Sequence, residues 1–290
     1  MMRTIDIFFF NLKSYLPILV PFSFLVIGLK LLKVEKSSEP DLDLKHFAAT
    51  IYSTILICFI GTFLYQLSIL IYAYNFIHSK DMTVQISFLT SPLIVLIPSY
   101  IKYGLMFFVS FTLIKKYTPF FLKVIFSPGQ TSVSYSLLWT SLSIVGIIIS
   151  AFLCHILGNF FGIVKYRDQW WSIFQTGLTI QRQNMSITNT ILFLIPTVAM
   201  IAFVEEFLFR GIIFGWLKNR INIKLAVIIS AILFASYHGS TFLTVITLFQ
   251  FLAGFIMSVV YIKTKSIYPL IIAHGVYLAI PYLFKAIRGS

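Results

Sequence analysis

Residues 189–219 read NTILFLIPTVAMIAFVEEFLFRGIIFGWLKN. Glu205, Glu206 and Arg210 stand in the middle of this otherwise apolar run. A charge at the centre of a lipid bilayer costs at least ~3 kcal/mol on insertion scales, so three within six residues demand an explanation. On a helix, positions four apart share a face, which lets Glu206 pair with Arg210 and turns Glu205 roughly 100° away from that pair. Glu205 is therefore the acid with no local partner. The structural alternative is that all three form one ion-pair cluster, since buried pairs often hold helices together. The extra acid weighs against it.

The rest of the chain places this run in a membrane. Of 290 residues, 59% are hydrophobic and only 11% charged, which describes a polytopic membrane protein rather than a soluble domain with one anchor. The net charge of +13 would suggest nucleic acid in a soluble protein. Here the basic residues fall mainly between apolar runs, where they face lipid headgroups, and no nucleic-acid partner is expected. Cys58 and Cys154 both lie inside apolar runs without C-x-x-C spacing, so they are expected to be buried as small apolar residues.

Apolar runs near the ~20 residues that a span needs occur at about 15–32, 47–77, 86–114, 133–164, 188–217, 225–237, 242–262 and 267–284. The expected fold is all-α, a polytopic transmembrane bundle of about eight helices. The third run is ambiguous, because Pro92, Pro98 and Lys102 interrupt it; it is either one kinked span or two half-spans. Residues 120–126 read as a short interfacial helix ending at the turn SPGQTS, and 165–183 as an amphipathic segment at headgroup level. Residues 1–290 are taken as a single integral membrane domain, with 186–284 as its motif-bearing core helices.

Seven of the nine acidic residues fall in loops or near the ends of runs; only Glu205 and Glu206 are embedded. Among the histidines, His155 reads as a packed polar residue satisfied by Asn159 at i+4. His238 and His274 differ because of depth. Lys218 and Lys224 flank a tight connection and mark one membrane face. At a rise of about 1.5 Å per residue, Glu205 lies ~20 Å from that face and His238 ~21 Å. The following span returns to the same face at Lys263 and Lys265, which puts His274 ~13 Å in. All three fit within a ~30 Å hydrocarbon layer, and Pro196 is available to bend the Glu-bearing helix.

A glutamate and two imidazoles suit the hydrolysis of an amide. A carboxylate in a low-dielectric cavity can take a proton from water and hand it to a leaving amine, while an imidazole shares the water or donates to a developing oxyanion. The same trio is also a possible zinc set with a fourth position for water, although no H-E-x-x-H helix is present. Proton relay in a transporter uses the same residue types.

The strings FVEEFLFRG (203–211), FASYHG (234–239) and SIYPLIIAHG (266–275) resemble the three ordered motifs of the type II CAAX prenyl endopeptidase and bacteriocin-processing family, also called Abi or CPBP. Those motifs are E-E-x-x-x-R, F-x-x-x-H and H-x-x-x-N/D. The resemblance covers roughly a third of the chain, and it implies an all-helical intramembrane protease. It assigns Glu205 as general base, Glu206 and Arg210 as supporting residues, His238 to water activation and His274 to oxyanion stabilisation. The family has been described both as metal-dependent and as a metal-free glutamate protease. The metal-free version is favoured here, because Glu205 needs no zinc to act as a base; if zinc is present, its ligands are Glu205, His238 and His274.

One position departs from the pattern. Where the family has Asn or Asp four residues after the last motif histidine, this chain has Leu278, preceded by Tyr277. Either Tyr277, Asn189 or another group supplies the missing hydrogen bond, or the protein is a slow or non-proteolytic member. The expected function is cleavage of a membrane-associated peptide or protein tail, in a bacterial plasma membrane. The alternatives are a bacteriocin-immunity or scaffold protein and, behind it, a proton-coupled transporter.

Overall fold

The computed structural model describes residues 19–30, 43–77, 92–129, 131–160, 198–238 and 245–288. These residues form α1 (Leu19–Lys30), α2 (Leu44–Ile77), α3 (Pro92–Tyr117), the short α4 (Pro119–Ile125), α5 (Val133–Phe160), α6 (198–217), α7 (Ile223–His238), α8 (Val245–Thr264) and α9 (Tyr268–Arg288). No strand occurs among the described residues, so the fold is the expected all-α bundle. The windows Leu44–Gly61, Val133–Gly158 and Thr247–Thr264 are each long and apolar enough to cross a membrane. Three shorter apolar helices, Leu19–Lys30, Ile223–His238 and Tyr268–Ala279, accompany them.

The ambiguous third run is one continuous helix from Pro92 onward. Pro92 occupies its first turn, where a missing N–H leaves no helical bond unmade. The segments 165–183, Asn189 and Pro196 lie outside the described residues, as do the side chains of His155 and Asn159.

The bundle is organised around α6. Every residue from Val204 to Leu217 is buried, the expected state of a helix that is apolar on all sides. Its neighbours are α3, α4, α7 and α8, while α5 packs along α8 and α9, and α2 along α3. Phe209 meets Phe234 of α7 edge-on at 5.1 Å, and Phe214 meets Tyr261 of α8 at 5.8 Å. On its outer side α5 leaves Leu137, Leu142, Ile149, Phe152 and Ile156 exposed. An apolar stripe of that length is stable against lipid and not against water.

The short helix α4 is amphipathic, burying Phe121, Leu122 and Ile125 in the core and leaving Lys123 and Val124 exposed. The turn after it reaches the end of α8 at Gly129, whose φ is +83° and where an added Cβ would come within 2.6 Å of the Thr264 carbonyl oxygen. Only glycine accommodates both constraints. A feature that the sequence reading did not address lies in α6 itself, where Phe207–Phe214 is π-helical and Gly215 N–H donates to the Arg210 carbonyl, five residues back. Such widened turns cluster at functional sites, and this one begins directly after Glu206.

Cys58 and Cys154 are both buried and in no disulfide, as their apolar surroundings imply. Around the end of α6, Arg220 lies over Trp216 at 4.2 Å and Lys218 over Tyr261 at 5.0 Å, and Lys263 lies over Trp139 at 5.7 Å. This layer of cations on aromatic faces is the pattern expected at a headgroup level.

Candidate active site

The last α-helical turn of α6 before the π segment carries Glu205 and Glu206, and the π segment carries Arg210. All three are fully buried. His238 is the last residue of α7, and His274 lies in the second turn of α9. These four segments bring the five side chains named from the sequence into one cluster.

Glu206 Oε1 accepts from Arg210 Nη1 at 3.0 Å, the i, i+4 pair anticipated on the sequence. Arg210 also donates from Nη2 to the Gly254 carbonyl of α8 at 3.3 Å, and its guanidinium lies 4.3 Å from the centre of the Phe234 ring of α7. One arginine therefore ties three helices together. The same Glu206 oxygen accepts from His274 Nδ1 at 2.7 Å. The second glutamate thus fixes an imidazole as well as a guanidinium, a role that the spacing within α6 does not reveal.

Glu205 faces the other way, as its helical position requires. Its Oε2 lies 3.2 Å from His238 Nε2 and 3.7 Å from His274 Nε2. Its Oε1 accepts a 2.7 Å hydrogen bond from the Tyr103 hydroxyl of α3. Oε2 itself is buried and, beyond its approach to the two imidazoles, has no hydrogen-bond partner among the described residues. Both imidazoles have their other nitrogen committed, His238 Nδ1 to the Phe234 carbonyl at 3.0 Å and His274 Nδ1 to Glu206. Since a carbonyl and a carboxylate only accept, each Nδ1 carries a proton, and in neutral rings each Nε2 presents a lone pair toward Glu205. Three acceptors facing one another repel unless a hydrogen lies between them. A water's hydrogen, or a proton on one of the imidazoles, relieves that repulsion.

Access is uneven. The side chains of both glutamates and of Arg210 are shut in, His274 is 5% exposed and His238 is 22% exposed. The solvent-facing member of the set is therefore His238, at the end of α7.

Residues 187–280 match the family model for Rce1-like proteins, described as type II CAAX prenyl endopeptidase Rce1-like. The Rce1-like stretch spans roughly a third of the chain and contains every motif residue named above. It is the match that the three ordered motifs lead one to expect, and the family is one of proteases. No curated protein and no solved structure matches the chain.

Tyr103 lies outside the Rce1-like stretch, and the sequence reading passed over it. A signal was present, because neighbouring Lys102 is an uncompensated charge inside an apolar run. Counting thirteen residues back from Lys115, at the end of α3, puts Lys102 at ~20 Å, the depth found for Glu205 and His238. Leu278 is partly buried and offers no hydrogen bond. Beside it, the Tyr277 ring is centred 6.3 Å from the His274 ring and 5.4 Å from Phe249. Among the described residues, no group of three His, Cys, Asp or Glu side chains is arranged to hold a metal ion.

Proposed function

We propose that this chain is an intramembrane endopeptidase that hydrolyses a peptide bond in a membrane-associated peptide or protein tail, with Glu205 as general base. The observation carrying this reading is the Glu205 Oε2 atom, buried and facing the Nε2 atoms of His238 and His274 at 3.2 and 3.7 Å. A water bridging Glu205 and His238 satisfies both with its two hydrogens and keeps its oxygen lone pair free to attack.

The chemistry then follows from the hydrogen-bond assignments. Glu205 takes a proton from the water as its oxygen adds to the scissile carbonyl, and returns that proton to the amine as the C–N bond breaks. His238 accepts the water's other hydrogen and holds its orientation. His274, whose Nδ1–H is held by the Glu206 carboxylate, can carry a second proton on Nε2 and in that form donates to the oxyanion. The hydroxyl of Tyr277 takes the part left vacant by Leu278. No step in this sequence requires a metal, and the metal-free reading is part of the proposal.

The test is cleavage of a lipid-anchored, internally quenched reporter peptide by protein reconstituted in vesicles. Glu205→Gln keeps the shape of the side chain and removes the base, so it abolishes cleavage while the protein stays folded. Unchanged cleavage by this variant sinks the protease reading and leaves the cluster as a packing device of a scaffold or immunity protein.

A further inference from the structure

The N-terminal half of the chain supplies a part of the site that the three motifs do not contain. Lys102 lies on α3, its ammonium 4.4 Å from the centre of the Tyr237 ring and 5.1 Å from that of Tyr103. It forms no ion pair among the described residues, yet its charge and that of Glu205 lie within electrostatic reach of each other. Tyr103 in turn donates to Glu205 Oε1 at 2.7 Å, and Tyr237 precedes His238, whose ring it meets edge-on at 5.0 Å. Lys102 thus sits between the two tyrosines that abut the base and its imidazole partner.

A lysine at this depth costs roughly 3 kcal/mol on insertion scales unless something compensates it, and aromatic faces compensate in part. The charges of the cluster explain the remainder. Glu206 is matched by Arg210 at contact distance. Glu205 meets two imidazoles but, among the described residues, no lysine or arginine at contact distance, and Lys102 lies near enough for its charge to bear on the carboxylate.

The arrangement keeps the two apart. A direct lysine–glutamate ion pair would occupy a carboxylate oxygen that hydrolysis needs. With a tyrosine in between, one oxygen is fixed by the phenol while the other stays turned to the imidazoles.

We infer that Tyr103 and Lys102 form a positioning pair for the base: the Tyr103 hydroxyl fixes Glu205 Oε1, and Lys102, held on the Tyr103 and Tyr237 rings, is its non-contact counter-charge. This rests on the protease reading and extends it to a helix outside the Rce1-like stretch. Neither residue touches substrate in this assignment, so both act on the chemical step and not on substrate binding.

The experiment uses the full chain in phosphatidylcholine–phosphatidylglycerol vesicles with the lipid-anchored quenched peptide as probe. Tyr103→Phe and Lys102→Met each lower kcat by about 10- to 100-fold with KM within about twofold, the pattern of a group that acts only in the transition state. Lys102→Arg, which keeps the charge and the aromatic stacking, recovers kcat to within about threefold of the native protein.

Wild-type kcat in both Tyr103→Phe and Lys102→Met, a loss confined to KM, or a Lys102→Arg protein no better than Lys102→Met each overturns the inference. A second readout covers a variant that folds poorly. The infrared carboxylate stretch of Glu205, identified by its loss in Glu205→Gln, shifts in Tyr103→Phe, and an unshifted band refutes the fixing role. If Glu205→Gln cleaves as well as the native protein, it is the protease reading that fails, and the pair loses its base with it.

Discussion

His274 donates its Nδ1 proton to Glu206 Oε1 at 2.7 Å, the same oxygen that receives the Arg210 guanidinium at 3.0 Å. One buried carboxylate oxygen therefore couples the stability of the bundle to the orientation of an imidazole beside Glu205. Removing either donor leaves a charge or an acceptor stranded where water does not reach.

Arg210→Met separates these two effects. It removes the link between α6, α7 and α8 and strands the Glu206 carboxylate, and breaking one half of a buried pair typically costs about 3–5 kcal/mol. The expected result is a large drop in apparent melting temperature in detergent, together with a lower yield of folded protein. A native melting curve contradicts the account of Arg210 given above.

His238→Ala tests the opposite kind of residue. Its ring is partly exposed and closes no core contact comparable to that of Arg210, so melting changes little. The loss falls on catalysis, at about 10²- to 10⁴-fold in kcat, the range for a group that assists proton transfer. Near-native turnover of the reporter peptide removes His238 from the mechanism.

Tyr277→Phe asks whether the residue beside Leu278 supplies the missing donor. Deleting one oxyanion donor usually costs about 10²- to 10³-fold in kcat. Kinetics on the reporter peptide decide the point: a kcat unchanged by Tyr277→Phe assigns the donor elsewhere.

Metal dependence has a direct measurement. Purified protein dialysed against a chelator retains its cleavage rate, and elemental analysis finds no stoichiometric zinc. Loss of activity on chelation, restored by added zinc, replaces the general-base scheme with a metal-assisted one.

Gly129→Ala probes the turn that joins α4 to the end of α8. A left-handed backbone costs a residue with a Cβ roughly 1–2 kcal/mol, and the Thr264 carbonyl stands in the way of the new atom. Thermal unfolding shows a lower midpoint, and proteolytic activity of the protein that remains folded is native. An unchanged midpoint means that the turn shifts without strain.

Hydrophobic run length dictated the helices, because in lipid a backbone must satisfy its own hydrogen bonds and the span length is set by the bilayer. The same logic exposed Glu205, Glu206 and Arg210, since charges in such runs are conspicuous, and a constant rise per residue placed His238 at matching depth. Depth along a helix axis is a one-dimensional quantity that sequence encodes. Position in the membrane plane is not encoded that way, and it depends on which faces of separate helices pack together. Packing alone put Tyr103 against Glu205 across 102 positions of sequence and His274 against Glu206 across 68. The π-helical turn after Glu206 was equally hidden, because one extra residue in a turn leaves the apolar pattern of a fully buried helix unchanged.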